Sequence, residues 1–335
     1  MTSIIASIWP ATKSPEILKE AFENNVEILR FNFSHFNHKD AMEYIKVIEN
    51  LKKENYKFKK LWDIEWPSIR IWVLSSPKNY EKGEIFSLFS DEKKAIGKKD
   101  LRCDYDLEKD VRIGQIVRID SWLFDTEVVE IKDSEVILKS LNDGTVTSRR
   151  HVNLPGIHLR LPALSEKDKS DLLFCIDNKF DIIAMSFTRD ADWVRQVKNF
   201  LKENGGENIE IMCKIENQEG IENIREIADA ADSIMVARWD LGTECPFEKI
   251  PEYQILLIKT SKEKGKKVVV ATQMLESMIN NPSATRAEIG DIFTAVTQGA
   301  DHTMLSGETT TWKYAMNAIK TMNTVIQEAK NYMKN

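Results

Sequence analysis

Short apolar runs alternate with longer amphipathic segments along most of the 335-residue chain. The apolar runs lie at 4–8, 26–31, 58–64, 182–186, 209–215, 233–237, 268–272 and 302–305. Between them, apolar spacing of three and four residues predicts helices, as over 40–55, so the pattern is a strand and a helix repeated eight times. Eight such parallel strands close most naturally into a (β/α)8 barrel of the TIM type. An open doubly wound sheet is the alternative, but no Gly-rich phosphate-binding fingerprint favours it.

The stretch 68–162 interrupts this rhythm, because no long helix fits its pattern. Alternating apolar and polar positions instead predict short strands at 69–74, 84–88, 116–119, 128–131 and 136–141. Asn142-Asp143-Gly144 is a strong turn signal, and the charged stretch 81–110 is expected to be a solvated loop or an edge. We therefore predict a first barrel part at 1–67, an all-β domain inserted after strand three at 68–162, and a second barrel part at 163–335. The insert leaves the barrel at the carboxyl end of a strand, where it can act as a lid.

Two helix starts can be read directly from the sequence. Ser14-Pro15-Glu16 places a cap residue, a proline and an acid in the order typical of a helix N-terminus, and the helix should reach about residue 24. Ser165 is followed three residues later by Asp168, which is typical of a capping box.

Charged residues follow two neighbouring strands of the second barrel part. Lys214 and Glu216 are two residues apart at the end of one strand, so they share a face, and Asp240 follows the next strand. Because parallel neighbours bring their carboxyl ends together, the three side chains should converge. Two carboxylates and a lysine suit a hard cation such as Mg²⁺ beside a migrating phosphoryl group. A surface salt-bridge cluster is the alternative that the spacing alone leaves open.

Polar residues recur at most of the other strand ends, where a barrel of this type places its active site. They are Arg30, Asn32, Ser34, Asp63, Thr272, Ser306 and Glu308. This recurrence favours a functional site over a chance surface cluster.

Composition and charge bear on the partners and the cellular location of the protein. The net charge of −6 gives no sign of a nucleic-acid partner, and no apolar segment is long enough to predict a membrane span. The four cysteines are scattered without a C-x-x-C pair, and no signal peptide is recognisable, so a reducing cytoplasm is the expected location. Cys175 and Cys213 lie in apolar runs and should be buried free thiols.

Five longer motifs give the chain a recognisable family character. They are KIENQEG at 214–220, ATQMLESM at 271–278, MLSGET at 304–309, NFSH at 32–35 and VNLPG at 152–156. Taken in their order along the chain, these motifs resemble those of the pyruvate kinases over nearly the whole length. The resemblance implies a glycolytic phosphotransferase that moves the phosphoryl group of phosphoenolpyruvate to ADP, giving pyruvate and ATP.

The resemblance also implies roles for individual residues. Glu216 and Asp240 would hold Mg²⁺ or Mn²⁺, and Lys214 would neutralise charge on the phosphoryl group in flight. Arg30 would hold the substrate phosphate, and Thr272 would belong to the route that protonates the enolate. The remaining implied positions are Ala237 and Trp239 for substrate, Asn32, His35, Arg70 and Arg150 for nucleotide, and Asn32, Ser34 and Asp63 for K⁺.

Three features depart from the family pattern. The 335 residues end after the eighth helix, so the regulatory C-terminal domain is not expected and a homo-oligomer would form through the barrel. Ile64, Glu65 and Ser68 differ from the residues of potassium-dependent members, which leaves potassium dependence open. His151 stands where the family has glycine beside the basic residue of the lid.

Tryptophan is the largest departure. Six of the eight tryptophans stand where the resemblance implies glycine: Trp9, Trp66, Trp72, Trp122, Trp239 and Trp312. Glycine itself is only 13 of 335 residues, roughly half the usual share of about 7%. Since glycine serves where φ is positive or backbone approaches a ligand, tryptophan cannot replace it by drift, and an indole at 239 would fill the substrate cavity. We hypothesise that the gene uses UGA for glycine and that the codon is read here as tryptophan.

Two further functions stay open at this stage. If the tryptophans are real, a catalytically impaired binding protein that kept the fold is an alternative. A Mg²⁺-dependent enolate lyase or aldolase on a similar barrel is the other. Arg150 in the insert and the Lys214 segment argue against the lyase, because an aldol reaction needs no nucleotide clamp.

Overall fold

A computed structural model describes residues 2–8, 12–32, 37–65, 68–91, 94, 97–310 and 313–335. The first barrel part alternates strands and helices as predicted. Its elements are β1 (Ser3–Ser7), α1 (Pro15–Glu23), β2 (Val26–Asn32), α2 (His38–Lys53) and β3 (Lys59–Ile64). The side chain of Ser14 accepts a hydrogen bond from the backbone N–H of Ile17 and caps α1, which confirms that helix start.

The insert consists of short strands with a core of their own. They are β4 (Lys78–Tyr80), β5 (Ile85–Phe89), β6 (Leu101–Arg102), β7 (Ile116–Ile119), β8 (Phe124–Lys132), β9 (Glu135–Ser140), β10 (Gly144–Val146) and β11 (Val152–Asn153). Six of them form a sheet in the order β11-β7-β8-β9-β5-β6, and β10 pairs with β4. Inward residues of this sheet, such as Val117, Val128 and Leu138, are fully buried.

Two predictions for the insert need correction. The stretch 69–74 is not a strand, since Arg70 and Ile71 make only isolated bridges, to His151 and Cys103. The charged stretch 81–110 contains the edge strand β6, which confirms the edge predicted as one of two possibilities. Only its solvation needs correction, because Leu101 is buried in the insert's core.

The second barrel part completes the alternation. Its elements are α3 (Glu166–Asp177), β12 (Ile182–Met185), α4 (Ala191–Glu203), β13 (Glu210–Ile215), α5 (Gln218–Glu222), α6 (Ile224–Ala230), β14 (Ser233–Ala237), α7 (Arg238–Glu244), α8 (Ile250–Glu263), β15 (Lys267–Ala271), α9 (Arg286–Thr297), β16 (His302–Leu305), α10 (Gly307–Thr310) and α11 (Ala315–Tyr332). Ser165 and Asp168 form the predicted capping box of α3. The single helix expected after β13 is two short helices, because Asn223 interrupts it and donates to the carbonyl of Arg189 at 3.0 Å.

The barrel closes in the order β1-β16-β15-β14-β13-β12-β3-β2 with every pair parallel. This closure confirms the (β/α)8 barrel and excludes the open sheet. Because successive side chains alternate across a strand, one set points into the barrel and forms an apolar middle layer that includes Ile5, Leu61, Met212, Met235 and Met304.

Polar residues continue this inward-facing set at both ends of the strands. Toward the carboxyl ends lie Arg30, Asp63 and Lys214. Toward the amino ends lies a set that we call the N-terminal polar layer: Ser3, Lys59, Glu210, Ser233, Lys267 and His302. The apolar middle layer therefore separates two polar regions.

All four cysteines are buried and unpaired, as expected for Cys175 and Cys213. None of the helices within the described ranges combines the length and apolar composition that a membrane crossing requires.

Candidate active site

A buried ion pair joins β2 and β3 at their carboxyl ends. Arg30 donates through Nε to Oδ2 of Asp63 at 2.7 Å, and its Nη2 lies 2.7 Å from the same oxygen. The Nη1 atom of Arg30 donates to Oγ of Ser7 at 2.7 Å. The guanidinium is therefore held in one orientation from two neighbouring strands.

Lys214, on β13, links this pair to Glu216, which directly follows the same strand. Its Nζ lies 3.1 Å from Oδ1 of Asp63 and 3.0 Å from Oε1 of Glu216, and it donates to Oγ of Ser186 at 2.8 Å. Burial lowers the pKa of Lys214, but the charges of Asp63, Glu216 and Asp240 outweigh it and raise the pKa above its ordinary value. The lysine therefore stays protonated at neutral pH.

Glu216 and Asp240 complete what we call the charged cluster: Arg30, Asp63, Lys214, Glu216 and Asp240. Glu216 is 1% exposed, and its Oε2 accepts the backbone N–H of Phe187 at 2.6 Å. Asp240 lies in the first turn of α7, close enough to share a hydrogen bond with Glu216. The predicted convergence of Lys214, Glu216 and Asp240 is therefore present in the structure.

The carboxylates of the charged cluster differ in their protonation. Burial raises the pKa of Glu216 to about 7, with Asp240 adding to the shift and Lys214 opposing it. Burial also raises the pKa of Asp240. Burial acts in the same direction on Asp63, but Lys214 and Arg30 hold the pKa of that carboxyl below its usual range. Asp63 is therefore neutralised by its protein partners, whereas Glu216 and Asp240 lack sufficient positive charge.

This imbalance fits a divalent cation at Glu216 and Asp240. Two buried carboxylates with raised pKa values gain most from an added positive charge, and oxygen ligands suit Mg²⁺ or Mn²⁺. Within the described residues, no group of three His, Cys, Asp or Glu side chains could hold a metal ion. Further ligands would have to come from substrate or water, as is usual for Mg²⁺.

Thr272 follows β15 in a strained backbone conformation. Its φ is 68°, which is rare for a β-branched residue, and Gln273 follows with φ 54°. The hydroxyl of Thr272 donates to the carbonyl of Ala271 at 2.6 Å and accepts the backbone N–H of Trp239 at 2.9 Å. Such strain is typical of functional sites. The contact brings Thr272 to the start of α7, directly after the buried Ala237 at the end of β14.

A polar groove lies where the insert meets the barrel. Arg70, Trp72, Asp104 and Lys167 line a groove of about 540 Å³. Arg70 is positioned by Glu65, whose Oε1 lies 2.5 Å from Nη2, and donates to the carbonyl of Arg149 at 3.1 Å. The groove has the size of a small-molecule pocket.

The other predicted nucleotide and potassium residues are distributed as follows. Arg150 is 48% exposed, and its Nε donates to Oγ1 of Thr147 at 2.6 Å and lies 3.3 Å from Oδ2 of Asp120, so both partners belong to the insert. Asn32 ends β2 and is the register partner of Asp63. Ser34 and His35 lie outside the described residues.

Sequence reasoning missed three residues of this site. Ser7 and Ser186 hold Arg30 and Lys214, and Lys167 lines the groove. Ser7 shares the face of Ile5 on β1, and Ser186 follows β12, so strand alternation and strand-end position could have indicated both. Lys167 lies in the first turn of α3, where no sequence signal separates it from a surface lysine.

Ser306 and Glu308 also lie at a strand end, but Glu308 has a structural function. It is 1% exposed, and its two oxygens accept the backbone N–H groups of Leu275 at 3.1 Å and Ser306 at 2.7 Å. Glu308 therefore fixes the loops after β15 and β16.

Two of the unexpected tryptophans contact each other across the boundary of insert and barrel. The rings of Trp122, between β7 and β8, and Trp239, in α7, lie 4.2 Å apart between centroids. Arg118 of the insert also donates to the carbonyl of Thr243 at 2.7 Å in the same region. Trp72 is 36% exposed at the groove, and Trp9, Trp66 and Trp312 lie outside the described residues.

Comparison with known proteins agrees with this geometry. A family model described as the pyruvate kinase barrel domain matches residues 1–319. The chain belongs to the pyruvate kinase family. The pyruvate kinase of Clostridium acetobutylicum is 38% identical over 98% of this chain and 70% of its own length. The pyruvate kinase of Kluyveromyces lactis is 42% identical over 96% of the chain and 66% of its length, and pyruvate kinase 1 of Saccharomyces cerevisiae is 39% identical over 100% and 69%.

Membership of the pyruvate kinase family argues against one of the two alternative functions left open. These relatives are named for an enzyme, so a phosphotransferase is favoured over an enolate lyase or aldolase. The chain spans about two thirds of the length of these pyruvate kinases.

Proposed function

We propose that this chain transfers the phosphoryl group of phosphoenolpyruvate to ADP, giving pyruvate and ATP in glycolysis. The observation that carries the proposal is the convergence of Lys214, Glu216 and Asp240 beside the Arg30–Asp63 pair at the carboxyl ends of adjacent strands. Phosphoryl transfer requires positioning and positive charge rather than covalent participation of the protein. The charged cluster supplies both.

The two cations of the cluster have different tasks. Arg30 is pre-oriented by Asp63 and Ser7, so we assign it to the substrate phosphate. Lys214 is protonated and 12% exposed in its side chain, so it can neutralise charge on the phosphoryl group during transfer. A buried, pre-organised charge stabilises a transition state more than a solvated one.

Glu216 and Asp240 would hold the divalent cation. When bound there, Mg²⁺ or Mn²⁺ would supply positive charge against the carboxylate and phosphate of the substrate. Lys214 contacts Glu216 directly at 3.0 Å, so the lysine and the cation would act on the same small region.

Thr272 is the proposed contributor to protonation of the enolate. The backbone N–H of Trp239 donates to its hydroxyl, and the hydroxyl proton is directed to the carbonyl of Ala271. To donate toward the enolate, the hydroxyl would have to rotate away from the carbonyl of Ala271 and take its replacement proton from water or another acid. Ala237 and the N-terminal turn of α7 would contact the substrate through their backbone.

The groove at Arg70 is the proposed nucleotide site, with His35, Asn32 and Arg150 as further candidates. Arg70, Arg149 and Lys167 line this groove together with Glu65, Asp104 and Asp168. The three basic groups could bind the phosphates of the nucleotide at the boundary of insert and barrel. We propose that the insert, residues 68–162, closes over the barrel as a lid. Closure would exclude water, which otherwise competes with ADP for the phosphoryl group.

Potassium fits the described residues poorly. Both oxygens of Asp63 are already engaged, by Arg30 and by Lys214, and Ser34 lies outside the described residues. No step of the reaction is therefore assigned to K⁺. The cytoplasm and a homo-oligomer formed through the barrel remain part of the proposal, and light scattering of the purified chain tests the latter.

The proposal is tested by measuring ATP formation from phosphoenolpyruvate and ADP with Mg²⁺. The chain as written is compared with a form that carries glycine at positions 9, 66, 72, 122, 239 and 312. We expect turnover in the glycine form, and its absence there would reject the phosphotransferase. Equal turnover in both forms would reject the argument that Trp239 impairs the site.

An impaired binding protein is the second candidate, and the Trp122–Trp239 contact favours it. Two indoles packed at 4.2 Å would tie the insert to α7 and oppose motion of the lid. Mass spectrometry of the native protein distinguishes the phosphotransferase of a recoded gene from the impaired binding protein. Glycine masses at positions 122 and 239 would support the recoded gene, and indole masses would support the impaired protein.

A further inference from the structure

The N-terminal polar layer lines a cavity at the end of the barrel opposite the charged cluster. It has a volume of about 340 Å³ and is lined by Lys59, Glu210, Ser233, Lys267 and His302 of the N-terminal polar layer, together with Glu27, Lys57 and apolar neighbours. The apolar middle layer, with Met212 and Met235, separates it from the charged cluster. The cavity has the size of a small-ligand pocket.

Two side-chain groups in this cavity have no partner among the residues that the structure describes. Ser233 is 3% exposed, and its Oγ makes no hydrogen bond among the described residues. Lys267 is exposed at the mouth of the cavity, and its ammonium group makes no hydrogen bond or ion pair within the described ranges. The carboxylates in the lining are already engaged, Glu27 by Ser3 and Glu210 by Lys59. A buried hydroxyl without a partner is costly, and Ser233 together with the unpaired charge of Lys267 favours a ligand that accepts hydrogen bonds and carries negative charge.

The hydrogen bonds of His302 restrict the ligand further. Oγ of Ser3 lies 2.7 Å from Nδ1 of His302 and donates to Oε2 of Glu27 at 2.9 Å. Because the carboxylate can only accept, the single proton of Ser3 is used there, so Nδ1 of His302 must carry the proton that Ser3 accepts. The Nε2 atom of the neutral ring is then an acceptor.

The cavity therefore presents a lysine ammonium group and, on the same wall, a nitrogen that needs a donor. A carboxylate or sulfate offers only acceptors at neutral pH. A phosphate group in its singly protonated or monoanionic form offers acceptor oxygens together with a P–OH donor. Burial and the charge of Lys267 lower the pKa of His302 to about 4, so the ring stays neutral and keeps this preference.

We propose that the cavity at the amino ends of the barrel strands is a second binding site, for a phosphate group that carries a proton. Oxygens of the phosphate accept from Lys267 and Ser233, and its P–OH donates to Nε2 of His302. The ligand is inorganic phosphate or a small phosphomonoester. The site is independent of the phosphotransferase reaction.

The local probe for this site is the ring of His302, which NMR can follow with histidine-selective ¹⁵N labelling because the chain has only 5 histidines. A His302→Gln spectrum assigns the resonance. At pH 7 and constant ionic strength, we expect inorganic phosphate to shift the His302 resonances saturably and sulfate to shift them at least about fivefold less. Glycerol phosphate distinguishes a phosphomonoester from the free ion when both are compared at pH 6, where about half of the ester carries the required proton. A bulky ester is excluded there if only the free ion fits.

Two neighbouring lysines provide the matched control. Lys267→Gln should weaken the phosphate response about tenfold or more, whereas Lys266→Gln makes the same charge change outside the cavity lining and should leave it within twofold. Ser3→Ala removes the group that fixes the tautomer and should reduce the preference for phosphate over sulfate. The proposal is wrong if phosphate leaves His302 unmoved, if sulfate acts equally, or if the two lysine variants respond alike. None of these readouts depends on catalytic activity.

Discussion

Replacing Lys214 by methionine is the sharpest test of the charged cluster. The change keeps the length of the side chain but removes a charge whose Nζ lies 3.1 Å from Asp63 and 3.0 Å from Glu216. With the lysine, two cations face the three carboxylates; without it, only Arg30 does. Breaking a buried ion pair costs about 3–5 kcal/mol. We expect the lower end of that range, because the pKa of Glu216 is raised to about 7 and Glu216 can take up a proton.

The effect on turnover should be larger than the effect on folding alone explains. Removing one pre-organised charge from a transition state typically lowers kcat by about 10² to 10³. The coupled ATP-formation assay measures this with saturating Mg²⁺, and all kinetic variants are made in the glycine form, in which turnover is expected. Lys13→Met is the control, since Lys13 pairs with Glu43 on the surface and is 47% exposed. The reasoning is refuted if Lys214→Met keeps kcat within about threefold of this control while remaining folded.

Three further predictions address the metal, the nucleotide and the histidine. Mg²⁺ affinity should fall as the pH drops below about 7, because burial raises the pKa of Glu216 to about 7 and a protonated carboxyl does not bind the ion. Calorimetric titration between pH 8 and 6 measures this affinity, and an affinity that does not change with pH would contradict the prediction. Arg70→Met should raise the KM for ADP about tenfold, because it removes one charge-assisted hydrogen bond to the nucleotide, and it should change the KM for phosphoenolpyruvate less than twofold. Steady-state kinetics measures both KM values, and an equal change in the two would contradict the prediction. His302→Gln should flatten the pH dependence of the free energy of unfolding. Burial lowers the pKa of His302 from 6.5 to about 4. The stability that the neutral ring contributes is therefore present above pH 6.5 and is lost as the pH falls toward 4, a loss of about 3 kcal/mol in the free energy of unfolding. Urea unfolding in phosphate-free buffer measures this, and a variant with the same dependence of unfolding free energy on pH would count against it.

Much of the candidate site follows from the sequence because strand alternation has a fixed period. Lys214 and Glu216 are two residues apart on β13, so they share a face whatever the rest of the chain does. The five long motifs place these residues in a known family. Thr272 was also identified this way, although its positive φ was not foreseen.

Other parts of the site depend on which strands become neighbours. Asp63 and Lys214 are 151 residues apart, and they meet because β12 lies between β3 and β13 in the closed barrel. Ser186, at the end of β12, is placed between them for the same reason. Local patterns carry no information about contacts across such a separation.

The sequence by itself determined the element types, the inward face of each strand and the family, because these depend on residue spacing and on motifs. The tertiary structure decided that the sheet closes, that Arg30 is held by Asp63 and Ser7, that Trp122 packs against Trp239, and that polar residues at the amino ends of the strands enclose a cavity. Each of these facts arises from packing between segments distant in the chain. The relative positions of these segments are set by burial of the apolar layers that they share rather than by local residue spacing.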